Sequence, residues 1–167
     1  MKQFAIIGLS NFGKCMLDEF EQFDCEILVI DKSRELIELI KERVTSAYIA
    51  DAMNEETINR LVPDSIDAAV IDLGDSIEVS ILVTNYLKKM GVGKIIAKAE
   101  SAQHGEILQI IGADTIVFPN REAAKRLAPM TASDTLFGYF PISEELIIAE
   151  IQAPAAVDGK SVAEADL

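Results

Sequence analysis

Residues 6–13 read IIGLSNFG. Gly8, Ser10 and Gly13 have the spacing of a glycine-rich phosphate loop, with a serine at the middle position. In such a loop the first glycine permits a tight turn and the last lets helix and strand pack closely. The middle one lets the backbone approach a pyrophosphate. Ser10 narrows that approach with a Cβ, but its hydroxyl can itself bond a phosphate oxygen. A helix starting here offers free N–H groups at residues 11–14 and the positive end of its dipole, with Lys14 as a nearby cation. Asp31 closes the run EILVID, 18 residues after Gly13. A carboxylate there can accept hydrogen bonds from ribose hydroxyls and would repel a 2′-phosphate, which favours NAD or a simple adenine nucleotide over NADP. The alternative for Asp31 is an N-cap of the next helix, a job Ser33 can do. Asp51 and Ala52 end a third run, YIADA, where an adenine base would lie. Asp72-Leu73-Gly74 follows a fourth, a turn without a bulky side chain at Gly74.

Residues that could carry out a reaction are harder to find. The alternative reading, an NAD-dependent oxidoreductase, needs groups that move a proton and usually a second domain to hold substrate. The sequence has one histidine, His104, in SAQHGEI at the start of an expected helix. It is expected at the surface or as a cap. Tyr48, Tyr86 and Tyr139 form no Tyr-x-x-x-Lys pair. Cys15 and Cys25 lack the spacing of a metal or redox motif and are expected as small buried or half-buried residues of a reduced, cytoplasmic protein. No metal site is expected. The formal charge of −13 argues against a grip on nucleic acid or on an anionic membrane surface. No apolar run approaches the roughly 18 residues that span a bilayer.

These candidates need a scaffold. Short apolar runs recur at 4–7, 26–30, 47–50, 68–71, 94–99 and 115–118. They are continuous rather than alternating, as in strands buried on both faces. Helix-length segments lie between them, at about 12–23, 33–43, 54–61, 76–90, 101–111 and 120–128. In the first, Phe12, Cys15, Met16, Leu17, Phe20 and Phe23 form the apolar stripe. Six alternations with right-handed crossovers give an α/β, Rossmann-like, doubly wound parallel sheet of six strands, most simply ordered 3-2-1-4-5-6. On segment 76–90, Val79, Leu82, Val83, Tyr86, Leu87 and Met90 share one broad face. Ile77 and Ile81 fall nearly opposite, under a neighbouring loop or against another subunit.

After about residue 128 the rhythm changes. Pro129 is expected to interrupt a helix. TLFGYFPIS (135–143) is aromatic and turn-rich, like a crossover arm, and ELIIAEI (145–151) reads as a new strand. The expected organisation is a nucleotide-binding domain over 1–134, then a crossover arm and the incomplete start of a second lobe over 135–167.

Several of these stretches together resemble the N-terminal lobe of the regulator of K⁺ conductance family, the cytoplasmic gating subunits of Trk and Ktr potassium uptake systems. They are GLSNFG (8–13), VID (29–31), ADA (50–52), IDLGDS (71–76), AKAES (97–101) and IGADTIVFPNREAAKRLA (111–128). The similarity runs over about 3–128 and continues weakly through 145–151 and 159–164. The resemblance implies a dimer of such lobes, often assembled into an octameric ring beneath a membrane potassium channel or transporter. In that family nucleotide exchange reshapes the ring and so the gate. It places the protein in the cytoplasm, peripheral to the membrane through its partner and not inserted in it. It implies that the loop Gly8, Leu9, Ser10, Asn11, Phe12 and Gly13 meets phosphates. Asp31 and Lys32 would meet the ribose region, and Asp51 and Ala52 the base. Leu73 and Gly74 would border the pocket, with Lys98 and Glu100 at its far rim. From its position after the fifth strand, Lys98 is either a phosphate partner or a solvated surface lysine. The implied ligand is AMP, ADP, ATP or NAD/NADH, and the implied role is regulatory rather than enzymatic. Ser10, Asn11 and Asn120 depart from residues common in the family (glycine, arginine and glutamate), which counts against triphosphate-specific sensing.

Overall fold

The computed structural model describes residues 1–143 and 145–165. The first unit runs from β1 (Lys2–Ile7) through α1 (Asn11–Phe20), β2 (Cys25–Asp31), α2 (Arg34–Ile40), β3 (Ser46–Ile49) and α3 (Glu55–Leu61). It continues with β4 (Ala68–Ile71), α4 (Ile77–Lys89), β5 (Ile95–Lys98), α5 (Ala102–Ile111) and β6 (Thr115–Val117). The six strands form one sheet in the order β3-β2-β1-β4-β5-β6. All five pairings are parallel.

The sheet is covered on both faces, which is why its central strands read as unbroken apolar runs. Successive side chains of a strand point to opposite sides. Ile6, Val29 and Val70 therefore pack with Leu17, Ile37 and Ile40 of α1 and α2. Ala5, Ile7, Ile30 and Ile71 pack with Ile58, Val83, Leu87 and Leu108 of α3, α4 and α5. The edge strand β3 departs from this pattern, because Tyr48 and Ile49 are exposed.

The first helical stripe is narrower than the sequence suggests. Gly13 and Leu17 are buried, Phe12, Met16 and Phe20 are half-buried, and the Phe20 ring stacks on Phe4 at 4.7 Å. The helix ends at Phe20, so Phe23 lies beyond it and is exposed. Cys15 lies off the stripe and is also exposed, contrary to expectation, whereas Cys25 is half-buried. On α4, Ile81 packs partly against the core and Ile77 stays exposed.

The second unit begins at Pro119, earlier than the boundary expected after residue 134. It holds α6 (Pro119–Thr131), β7 (Leu136–Pro141), β8 (Ile147–Ile151) and α7 (Val162–Ala165). Pro129 does not interrupt α6 but sits inside its last turn. Having no N–H, it cannot donate to the carbonyl four residues back, that of Lys125, but the helix continues through Thr131. The Thr131 hydroxyl donates to the Leu127 carbonyl at 2.9 Å. The stretch expected as an arm contains β7, which pairs antiparallel with β8 and places Tyr139 opposite Ala149.

His104 corrects another expectation. It starts near the head of α5 but is only 3% exposed. The Glu100 backbone N–H donates to its Nδ1 at 3.2 Å, which leaves the ring proton on Nε2. Nε2 then donates to Ser80 Oγ at 2.8 Å, and Ser80 donates onward to the Ile77 carbonyl at 2.8 Å. Burial holds the imidazole below its ordinary value, against the raising pull of Glu100. The unfolded chain therefore takes up this proton more readily than the folded one. The stability contributed by the neutral ring is complete above about pH 6.5 and is lost as pH falls from there toward the lowered value. The melting temperature should drop between about pH 7.5 and about pH 5.5, and His104→Gln should shrink that drop. An equal drop in the variant would show that other groups cause it.

Candidate functional site

The site is built at the carboxyl ends of the central strands, where parallel sheets of this winding open a crevice. At the end of β1, Gly8 has φ +91°, and its N–H donates to the Ile30 carbonyl at 2.8 Å. A Cβ on Gly8 would lie 2.0 Å from the Asp72 carbonyl oxygen. A Cβ on Gly13 would lie 2.4 Å from the carbonyl oxygen of Gly8. Neither position has room for a side chain, so α1 can start only where these two glycines allow. Ser10 is the N-cap of α1, yet its hydroxyl makes no capping bond. That hydroxyl faces Gly74, whose Cβ, if it had one, would stand 3.8 Å from Ser10 Oγ.

Two carboxylates brace this loop. Asp31 Oδ2 accepts the Leu9 N–H at 2.7 Å, and Oδ1 accepts the Ser33 N–H at 2.7 Å. Ser33 caps α2, accepting from the Leu36 N–H at 3.3 Å, so Asp31 is not the cap. Each Asp31 oxygen keeps a further lone pair for a ligand. The second carboxylate, Asp72, was named from sequence only as the start of the Asp72-Leu73-Gly74 turn, with no role for its side chain. It directly follows β4 and is 1% exposed. Its Oδ2 accepts the Gly13 N–H at 2.7 Å. Its buried Oδ1 makes no hydrogen bond, but Lys98 Nζ lies 3.2 Å away, close enough for an ion pair. The available signal was the repeated pattern of strands two and four, EILVID and AAVID, each ending in an acid.

A cleft of about 280 Å³ opens over the loop. It brings together nine of the residues expected from sequence: Gly8, Leu9, Ser10, Asp31, Lys32, Asp51, Ala52, Leu73 and Gly74. Asp72, Ser76 and the apolar Ile30, Leu36 and Val79 complete much of the wall. Asp51 Oδ1 accepts the Met53 N–H at 3.0 Å, while Ala52 is buried below. Five expected residues do not line the cleft. Asn11 is exposed on the first turn of α1, Phe12 packs into the core, and Gly13 is buried beneath the loop. Lys98 and Glu100 stand behind Asp72, with Lys98 Nζ 2.8 Å from Glu100 Oε1.

Lys98 is neither a solvated lysine nor a free phosphate partner. Its side chain is 18% exposed and is held by two carboxylates. Burial pulls its pKa down, but the Glu100 and Asp72 carboxylates beside it outweigh that and the net shift is upward, so it stays charged. The helix start is also less open than expected. The Gly13 N–H is taken by Asp72, and the Lys14 N–H by the Ser10 carbonyl at 3.0 Å. Among the described residues no acceptor stands against the N–H groups of Ser10, Asn11 and Phe12. Those three donors, the unused Ser10 hydroxyl and the α1 dipole together suit an anion. The apolar wall and the Asp31 carboxylate suit a sugar and a base. His104, buried between α4 and α5, does not line the cleft.

A parallel sheet in this order, a glycine turn between β1 and α1, and an acid closing β2 define a Rossmann-type nucleotide-binding domain. The chain belongs to the TrkA-N domain family, whose model matches residues 4–119. It is 32% identical over 166 residues to Ktr system potassium uptake protein C of Bacillus subtilis (strain 168), covering 99% of this chain and 75% of that protein. To Ktr system potassium uptake protein A of the same organism it is 30% identical over 161 residues, covering 96% and 72%. Among solved structures, the GsuK RCK domain superposes with a TM-score of 0.70 at 17% identity, covering 98% of this chain and 36% of that one. GsuK bound to ADP gives 0.65 at 15% identity (79% and 35%). The GsuK channel bound to NAD gives 0.67 at 14% (86% and 26%). At these identities the GsuK comparisons establish the shared fold.

The close approach at Gly13 has a measurable consequence. Gly13→Ala must push the start of α1 off the Gly8 carbonyl, at a cost of about 1–3 kcal/mol. Urea unfolding should show that loss as a lower midpoint with an unchanged slope. A midpoint equal to that of the wild type would mean that the backbone contact is not tight.

Proposed function

We propose that the protein is a nucleotide-binding regulatory subunit of a membrane potassium transporter. The observation that carries the reading is the cleft over the β1–α1 loop in a chain of the TrkA-N domain family, about 30% identical to Ktr potassium uptake proteins along nearly its full length. The ligand is an adenine nucleotide. ADP and NAD are named in solved structures that share this fold. The free N–H groups of Ser10, Asn11 and Phe12 and the Ser10 hydroxyl receive phosphate. Asp31 receives the ribose hydroxyls beside Lys32. The base lies against Asp51 and Ala52, with Leu73 and Gly74 as the opposite wall.

No helix among the described residues is long and apolar enough to cross a membrane. On this reading the subunit works at the cytoplasmic face, held there by its transporter, and assembles as a homodimer within a larger ring. The exposed Ile77 on α4 is a surface for such contacts. The role is regulatory rather than enzymatic: the sequence's one imidazole already has both ring nitrogens bonded inside the fold.

Ligand-dependent melting tests the reading. A ligand at 100 times its Kd adds about 2.7 kcal/mol, a shift of about 5–10 °C for a chain of this size. AMP, ADP, ATP and NAD should give a measurable range of shifts, with NADP lowest because its 2′-phosphate would face Asp31. Asp31→Ala should remove most of the shift for every adenosine ligand, since bonds to a charged group are worth about 1.5–3 kcal/mol. If NADP stabilises the wild type as much as NAD does, Asp31 does not meet the ribose and the placement is wrong.

A further inference from the structure

We propose that Asp72 sets the phosphate charge the cleft accepts, favouring adenosine ligands of low phosphate charge, a monophosphate or a dinucleotide, over ATP. This rests on the nucleotide reading above and specifies its ligand. Asp72 lines the cleft between the glycine loop and Leu73, yet it is 1% exposed. Its carboxylate already occupies the N-terminus of α1, because Oδ2 takes the Gly13 N–H at 2.7 Å. A helix start that holds one anion inside the protein has less to give to a second. Its other oxygen has no hydrogen bond and faces Lys98 Nζ at 3.2 Å.

Lys98 is the cation that could have met a terminal phosphate. It is shared by Asp72 and Glu100, a cluster that carries one net negative charge. Asp31 in turn takes the Leu9 N–H, so two loop donors are spent on the protein's own carboxylates. Asp31 and Asp51 add further negative charge to the lining, where Lys32 is the cation without an ion-pair partner among the described residues. A single phosphate, or the diester phosphates of a dinucleotide, fits the donors left at Ser10, Asn11 and Phe12. Each further terminal phosphate adds negative charge beside Asp72, where low solvent exposure leaves the repulsion poorly screened.

Asp72→Asn is the informative change. It keeps an oxygen to accept the Gly13 N–H, removes the charge, and releases Lys98 toward the cleft. Isothermal calorimetry with AMP, NAD and ATP, in buffer containing EDTA, should show the ATP-to-AMP affinity ratio rising about tenfold over wild type. The double variant Asp72→Asn/Lys98→Met should lose most of that gain, because the released cation is gone. Circular dichroism and melting without ligand check that each variant folds, and Asp72→Ala replaces Asp72→Asn if the latter does not. A purely structural Asp72 would weaken all ligands together and leave the ratio unchanged. An unchanged ratio, or a wild type that binds ATP more tightly than AMP, overturns the inference while leaving the nucleotide reading intact. Failure of wild type and variants alike to bind any of the three ligands overturns the reading and the inference with it.

Discussion

The start of α1 passes so close to β1 and β4 that Gly8 and Gly13 cannot carry a Cβ. This contact fixes everything above it. It aims the α1 N-terminus at the crevice and lays the loop backbone along the cleft floor. It also brings the Gly13 N–H within 2.7 Å of a carboxylate on a strand far away in sequence. Had the helix stood an ångström or so further off, Asp72 would be a buried anion without its backbone donor, a costly arrangement. The steric and electrostatic constraints therefore support each other.

The loop that faces the cleft is tied down by acids. Asp31, the last residue of β2, pins its beginning, and Asp72, just after β4, pins its end. Fixed donors bind without reorganising, which favours a preformed site, but every donor used internally is one that a ligand cannot use. Behind the loop, Asp72, Lys98 and Glu100 form a charged series. The Glu100 backbone N–H then bonds His104, which reaches Ser80 on α4. These contacts, of 2.8–3.2 Å, run from the floor of the cleft to the α4–α5 pair, with Glu100 itself exposed.

Strand order and the alternation of elements were legible in the sequence because both faces of the sheet are covered, so each inner strand is a plain apolar run. The edge strand β3 lost that signal on its outer residues, Tyr48 and Ile49. The glycine turn was legible from the spacing of Gly8, Ser10 and Gly13, and Asp31 from its place at the end of β2. Which of those residues face the cleft was not, because Gly13 works by packing and Phe12 by filling the core. Asp72 and the burial of His104 were hidden for a shared reason. Each depends on a partner 24 or more residues away, Gly13 for Asp72 and Ser80 for His104, and one sequence carries no mark of such pairs. Pro129 misled because a proline costs a helix one hydrogen bond without having to end it, and α6 runs on to Thr131.

Native mass spectrometry of the protein isolated from cells without added ligand tests the central claim most directly. The account predicts a bound species whose released mass and fragments contain adenosine, carried at close to one per chain and lost when the loop is displaced by Gly13→Ala. A tightly held species without adenosine, or an adenosine ligand retained undiminished in the displaced loop, would contradict it.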